Sequence, residues 1–411
     1  MNHYVGIDVS LEASSLCVVD ANGKIVREGR VASEPDALIA WLRELKLELT
    51  RIGLEAGPLS QWLYAAMRQA GLAVELLETR HVHTALETMP VKSDRNDARG
   101  IAQLMRLGWF RPVHCKSMAA QETRALLTAR KLLQTKLHDL ELSLRGILRG
   151  FGLKVGPTTP ARFEERIREL VAGHPSLEVI AHALLAARVA LRREFDHFEK
   201  QVRDAARCDT RARLLMSIPG VGAIVSLTFT AAIDDSARFK SSKQVGAYFG
   251  LTPTKYQSGE TDIDGHISKI GDASVRAALY EGAHIILTKP LKGCTVLKSW
   301  AMKIARRSGM KKAKVALTRK LAVIMSVETA SGPRTGMQLV NRSANRLHCQ
   351  SAPSAALVGD VRLTDSNAAT QANITYAAIS TATLWVLGRE IMALAPVLAG
   401  TIRRTIPLLV V

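Results

Sequence analysis

Tyr4-Val-Gly-Ile-Asp8 is a short apolar stretch that runs into an acid, and Arg51-Ile-Gly-Leu-Glu55 repeats the pattern. Both read as buried strands whose last residue is a carboxylate. Between them, Ser15-Leu-Cys-Val-Val-Asp20 reads as a second strand. Ala21-Asn-Gly-Lys24 reads as a tight turn, because Asn-Gly accepts positive φ, and the alternation from Ile25 to Val31 predicts a third strand. Glu34 to Leu45 has helical spacing, with Leu38, Trp41, Leu42 and Leu45 on one face. A helix over Gln61–Ala70, a strand over Val74–Leu77 and a helix from about Ser93 to Leu107 follow.

This order is three strands, helix, strand, helix, strand, helix. It matches a ribonuclease H-like layout, an antiparallel meander that leads into parallel crossovers. Functional groups in open α/β sheets gather at the carboxyl ends of strands, where Asp8 and Glu55 fall. In Ser93-Asp94-Arg-Asn-Asp97 two more acids stand three residues apart, a spacing that shares one face of a helix. Phosphodiester cleavage or transfer needs an anionic nucleophile and a stabilised leaving oxygen, and two divalent ions held by converging carboxylates supply both. Each acid also has an ordinary explanation: a turn acid after a strand for Asp8, a helix N-cap for Asp94, a dipole-favoured acid for Asp97. The four together, in the right topological order, favour a metal site. Actin-like sugar kinases share the opening strand but need further glycine-rich phosphate loops, and none here has the right context.

The 411 residues suffice for two or three domains, and 47% hydrophobic content predicts a mostly globular chain. A formal net charge of +19 favours a polyanionic partner, though a solvated basic face needs none. No apolar run of membrane-spanning length precedes the tail, and the N-terminus lacks a secretory pattern, so no membrane partner is expected. The five cysteines are scattered without a CxxC, which predicts neither a disulfide framework nor a zinc site and fits a reducing cytoplasm.

From Leu126 to Ile147, Leu133, Leu137, Leu140, Leu144 and Ile147 follow a coiled-coil spacing. The pattern breaks at Gly150-Phe-Gly152, and a second long helix is expected over Leu184–Ala205, with Val189, Phe195, Phe198 and Val202 recurring. An antiparallel helical pair results, either intramolecular or an oligomerisation arm. Next, Pro219-Gly220-Val-Gly222 has the form of a helix-hairpin-helix turn that lets backbone approach a phosphate, or of a plain helix–helix turn. Ser258 falls in a polar loop before Gly259, where a hydroxyl is exposed; Lys255, Lys269 and Arg276 are cations suited to a phosphate beside it, although loop serines are mostly turn residues. No Asp or Glu occurs between Glu281 and Glu328. That stretch carries Lys303, Arg306, Arg307, Lys311, Lys312 and Lys314 among other cations, a composition suited to nucleic-acid backbone.

Gly6-Ile-Asp8, Leu54-Glu55-Ala56, Lys92-Ser-Asp94-Arg-Asn-Asp97-Ala98, Pro219-Gly-Val-Gly222, Gly250-Leu-Thr-Pro253, Tyr256-Gln-Ser258-Gly259 and Ser268-Lys269-x-Gly271 together resemble the DEDD transposases of the IS110 type of bacterial insertion sequence. The resemblance spans about residues 3–325. It implies an α/β RNase H-like (RuvC-like) N-terminal domain over 1–112, a helical coiled-coil arm over 118–206, and a mainly α-helical, serine-containing transposase domain over 207–325. It further implies Asp8, Glu55, Asp94 and Asp97 as ligands of Mg²⁺ (two ions) or Mn²⁺, and Ser258 as the nucleophile that forms a phosphoserine with DNA. Gly220, Gly222 and the cations named above are the expected nucleic-acid contacts. The implied partners are element ends and target DNA, a non-coding bridge RNA, and further copies of the chain in a homodimer or homotetramer. The implied location is the bacterial cytoplasm, at the nucleoid. Two other readings remain open: a structure-specific nuclease of the Holliday-junction kind in which water attacks, and a non-catalytic DNA-binding relic. From Ser326 to Val411 the chain departs from the family pattern, rich in Ala, Ser, Thr and Leu with no lysine, like a frameshifted or fused tail. Its apolar part, Leu384–Ile406, is interrupted by Arg389, Glu390, Arg403 and Arg404, which argues against a membrane span.

Overall fold

A computed structural model describes residues 2–87, 89 and 91–331. The expectations for the tail beyond Ser331 lie outside the described residues. The N-terminal part contains β1 (His3–Asp8), β2 (Ala13–Val19), β3 (Ile25–Ala32), α1 (Pro35–Glu44), β4 (Leu49–Glu55), α2 (Ser60–Gln69), β5 (Val74–Leu77), α3 (Thr79–Leu86) and α4 (Asp94–Leu107). The sheet order is β3-β2-β1-β4-β5. β1 runs antiparallel to β2, and β2 to β3, while β1, β4 and β5 are parallel. This is the ribonuclease H-like arrangement expected from the sequence, with α3 as an added short helix.

Alternation along the strands divides the sheet into two faces. Val5, Ile7, Leu16, Val18, Ile52 and Leu54 pack with Leu38 and Leu42 of α1 and with Leu63 and Met67 of α2. The opposite face carries Tyr4, Cys17 and Val19 against Ala98 and Ala102 of α4. Gly6, Asp8, Gly53 and Glu55 fall on this second face by the same alternation, so the strand-end acids point toward α4.

The middle comprises α5 (Met118–Gly150), α6 (Phe163–Val171) and α7 (Pro175–Cys208). α5 and α7 pair antiparallel: Leu144 and Leu148 meet Leu177, Ala181 and Leu185 at one end, closed by Phe163 and Ile167 of α6. The seam differs from the spacing expected. Ile147 and Val189 are exposed, while Leu148 and Arg188 are buried. The seam is partly ionic: Arg188 donates from Nε to Glu141 Oε1 at 2.7 Å, and Arg130 pairs with Glu199. α7 also begins well before Leu184, because Pro175 supplies a pre-set φ in the first turn and Glu178 favours the dipole.

The third part comprises α8 (Thr210–Met216), α9 (Ala223–Ile233), α10 (Ser242–Tyr248), β6 (Pro253–Ser258), β7 (Thr261–Ile267), α11 (Ala273–Thr288), α12 (Thr295–Ser308) and α13 (Met310–Ser331). α9 is buried from Val225 to Ile233 and forms the centre of this core with Phe249, Leu279, Ala283, Leu317 and Leu321. At the arm's base, Leu126, Leu127, Val202 and Ala206 join Ala212 and Leu227 in one apolar cluster, so arm and helical core are continuous. α13 runs past residue 325, with Ser326 and Glu328 buried. Cys17, Cys115, Cys208 and Cys294 are free thiols. Among the described residues no helix is long and apolar enough to cross a membrane.

Candidate active site

Asp8 and Glu55 end neighbouring parallel strands, and the pairing of Ile7 with Leu54 sets them side by side. Gly6, one pleat before Asp8, brings α4 to them. A Cβ at Gly6 would stand 2.1 Å from Ala98 O and 2.3 Å from Ala102 N, so only a missing side chain lets the helix backbone lie on β1. Gly53 is likewise overlain by Met105 and Ile101. Ser93 caps α4, its hydroxyl accepting from Asn96 N at 3.3 Å, and Asp94 and Asp97 occupy the first turn. The cap is thus filled by Ser93, which leaves Asp94 free of that ordinary role.

The four carboxylates share one electrostatic field. Burial, then the charges of Asp94 and Asp97, push Asp8 from 3.8 up to about 6, against the pull of Lys92. Burial, then Asp8 and Asp97, also raise Glu55, opposed by His83 and Lys92. Carboxylates raised by burial and by neighbouring acids, as Asp8 and Glu55 are, mark a place that favours added positive charge. Among the described residues no three such groups are gathered into a finished metal cage. The donor set is all oxygen, which suits a hard divalent cation.

The turn carrying Asp94 and Asp97 is fastened from the other side. Glu28 of β3 lies opposite Cys17 on the α4 face and accepts from Arg95 and from Arg99, whose Nε is 2.5 Å from Oε1. Hydrogen bonds from Arg99 and then Arg95 hold Glu28 well down, at about 2. Sequence reading missed Glu28, because an acid in an alternating edge strand looks like an ordinary solvent-facing residue. Glu28→Gln is expected to lower stability by about 1 kcal/mol, since partly exposed ion pairs contribute that much at most. The loss should appear at neutral pH and shrink as pH falls through the native Glu28 value, where the wild-type pair is also lost. Urea unfolding at pH 7 and pH 3 reads both; an equal loss at the two pH values would exclude an ionic origin.

Ser258 lies elsewhere on the chain. The segment expected as a loop is a two-stranded antiparallel hairpin, β6 with β7, and Ser258 pairs with Thr261 at its tip. Every residue from Pro253 to His266 is exposed. The hairpin leaves the helical core through a crossing: a Cβ at Gly250 would stand 2.1 Å from Ile270 O, and one at Gly271 2.2 Å from Tyr248 O. Arg276 ties this crossing, donating from one nitrogen to the carbonyls of Phe249, Ile270 and Gly271 at 3.1, 3.1 and 3.0 Å. Lys269 sits in it with φ 54°, and Lys255 reaches across the hairpin to Asp262 at 3.0 Å.

Gly220, at φ 85°, packs on α11, where a Cβ would meet Ile286 Cγ1 at 2.7 Å; Gly222 is exposed at the start of α9. Lys303, Arg306, Arg307, Lys311 and Lys312 are exposed around the turn at Gly309 between α12 and α13. Lys314 is half-buried, with Nζ 5.7 Å from the centre of the Tyr280 ring. At the junction of the sheet with the arm, Asp234 accepts from His114 Nε2 at 2.7 Å and from Ser117 N and Oγ at 2.8 and 2.6 Å. Lys116 donates to Ala232 O at 2.8 Å, which caps the C-terminus of α9 with a cation.

Comparison with known proteins gives two family matches. The DEDD transposase profile of the IS110 type, described as Transposase, matches residues 5–152, and the profile described as Transposase IS116/IS110/IS902 family matches residues 212–292. The transposase for insertion sequence element IS1111A of Coxiella burnetii is 28% identical over 78% of this chain and 88% of its own length. A probable family 20 transposase of Pseudomonas aeruginosa is 24% identical over 78% of this chain and 95% of its own. A solved structure of T. thermophilus RuvC in complex with a Holliday junction substrate matches 28% of this chain and 100% of that chain, at 16% identity and a TM-score of 0.22.

Proposed function

Because the chain belongs to the IS110-type DEDD transposases, enzymes that act on DNA, we propose that it exchanges DNA strands at insertion-sequence ends through Ser258, with Asp8, Glu55, Asp94 and Asp97 as the metal-binding half of the site. The observation that carries this reading is that Asp94 and Asp97 raise Asp8, and Asp8 and Asp97 raise Glu55, beside a glycine that lets α4 lie on β1.

In this reading Ser258 Oγ gives up its proton to solvent and forms a bond to the scissile phosphorus. The bond from phosphorus to the sugar oxygen breaks, and that oxygen takes up a proton. Attack by the hydroxyl of a second strand reverses the step and restores the serine. Phosphoester bonds are conserved, so no nucleotide cofactor is needed. Divalent metal dependence follows from the DEDD family; Asp8, Glu55, Asp94 and Asp97 would hold two Mg²⁺ ions, or Mn²⁺ in their place, and the metal would supply charge that stabilises the leaving oxygen. The exposed hairpin supports a site completed between copies of the chain in a dimer or tetramer, with the serine of one offered to the carboxylates of another. The α12–α13 turn, with its exposed cations and the free N–H groups at the start of α13, supports contact with DNA and with a guide RNA. We also propose 1–112, 118–206 and 207–325 as the three working units.

The test is a strand-exchange assay on DNA carrying the native element ends, with RNA transcribed from the element's non-coding flanks. A covalent protein–DNA adduct is expected, mapped to Ser258 and absent from Ser258→Ala. Cleavage that survives this substitution would mean that water attacks instead.

A further inference from the structure

We propose that Tyr256, with Ile263 across the hairpin, is a stacking platform for the base beside the phosphate that Ser258 attacks. This rests on the serine reading and assigns a binding subsite to the same hairpin.

The register places Tyr256 opposite Ile263 and Ser258 opposite Thr261. Alternation then sorts the ribbon into two faces of different character. Tyr256, Ser258, Thr261 and Ile263 share one face, which carries no charge. Lys255, Gln257, Asp262 and Asp264 share the other, and there Lys255 is paired with Asp262. The strand residues on the serine's face therefore include no carboxylate, and the nearest acid in sequence, Glu260, belongs to the turn. Beside the serine on that face, Tyr256 is 66% exposed and Ile263 58% exposed. Two residues along a strand separate Tyr256 from Ser258 by about 7 Å. That distance lies within the span from a phosphate to the base of its own nucleotide. An exposed ring on a positively charged nucleic-acid enzyme is the usual means of holding an unstacked base without reading its sequence.

A purely structural role is the competing explanation, since a Tyr–Ile cross-strand pair stabilises a hairpin. Three substitutions separate the two. Tyr256→Phe keeps both ring and pair, Tyr256→Leu keeps an apolar pair without a ring, and Tyr256→Ala keeps neither. The experiment uses the full chain, the flank-derived RNA, and a duplex with the native element junction carrying 5-iodouracil at the nucleotides on either side of the scissile phosphate. Irradiation is expected to crosslink Tyr256, in the wild type and equally in Ser258→Ala. Tyr256→Phe should form the adduct at a rate within about twofold of wild type. Tyr256→Leu and Tyr256→Ala should both be slower by roughly 10- to 100-fold, the range for loss of one base stack. A Leu variant as fast as the Phe variant would overturn the proposal, as would a crosslink elsewhere with the adduct still on Ser258. An adduct mapped to another residue would overturn the serine reading instead, while the crosslink in Ser258→Ala would still report on the platform.

Discussion

Asp8→Asn is expected to abolish strand cleavage and to make the metal-free protein more stable. Asp8 stands at the centre of the carboxylate field, next to Glu55 and under Asp94 and Asp97. Replacing it removes a charged oxygen donor and should cut the cleavage rate by roughly 10³-fold or more, the scale of several kcal/mol of metal-supplied stabilisation. The folded protein, however, holds this acid at an energetic disadvantage. With its value raised from 3.8 to about 6, the unfolded chain ionises first as pH rises, so stability is complete below pH 4, falls between pH 4 and 6, and stays lower above. Allowing for water around a half-buried group, the deficit at pH 7 is about 1–2 kcal/mol. Asn carries no such deficit. Urea unfolding in EDTA should therefore show the variant ahead of the wild type at pH 7 and level with it at pH 4. Addition of Mg²⁺ should close the gap by stabilising the wild type alone. A variant less stable at pH 7 in EDTA would contradict the shared field.

Gly6→Ala is expected to do the reverse, damaging the fold and through it the site. The added carbon would lie 2.1 Å from a carbonyl oxygen and 2.3 Å from an amide nitrogen of α4. Both neighbours are helix backbone and cannot turn away as a side chain can. The helix must lift or tilt, at a cost of about 3 kcal/mol or more, the upper range for overpacking. Asp94 and Asp97 ride on its first turn and would move with it. Gly57→Ala is the control, because nothing lies within 4 Å of its added carbon. Thermal unfolding should separate the two, with Gly6→Ala melting several degrees lower and losing its metal-induced rise in Tm. Equal melting of both variants would remove Gly6 from the account of the site.

How much of this was legible beforehand depended on burial. The sheet announced itself because its strands bury one or both faces, so Tyr4–Asp8, Ser15–Val19 and Arg51–Glu55 carry runs or alternations of apolar residues. The acids were legible by position, at strand ends and at helical spacing in Ser93–Asp97. The role of Gly6 was not, since a glycine in a strand does not tell which helix will cross it. The hairpin holding Ser258 reads as a loop for the same physical reason: residues 253–266 are exposed on both faces, so their alternation sorts charged from uncharged side chains and leaves no apolar stripe to mark a strand. The arm's seam was shifted because Arg188 and Glu141 fill positions where the leucine pattern invites an apolar residue. Glu28 and Asp234 gave no signal, for their partners Arg95, Arg99, His114 and Ser117 are distant in sequence.

The crossing at Gly250 and Gly271 bears on how such a protein changes over generations. The chain from Pro253 to His266 leaves and re-enters the helical core at that one place and contributes none of its side chains to the buried interior. Drift in those residues is therefore uncoupled from the packing that decides whether the chain folds. The surroundings of the serine are free to diversify while Phe249, Leu251, Leu279 and Leu317 stay under an unrelated constraint. Adaptability, in this molecule, is a property of where two glycines touch.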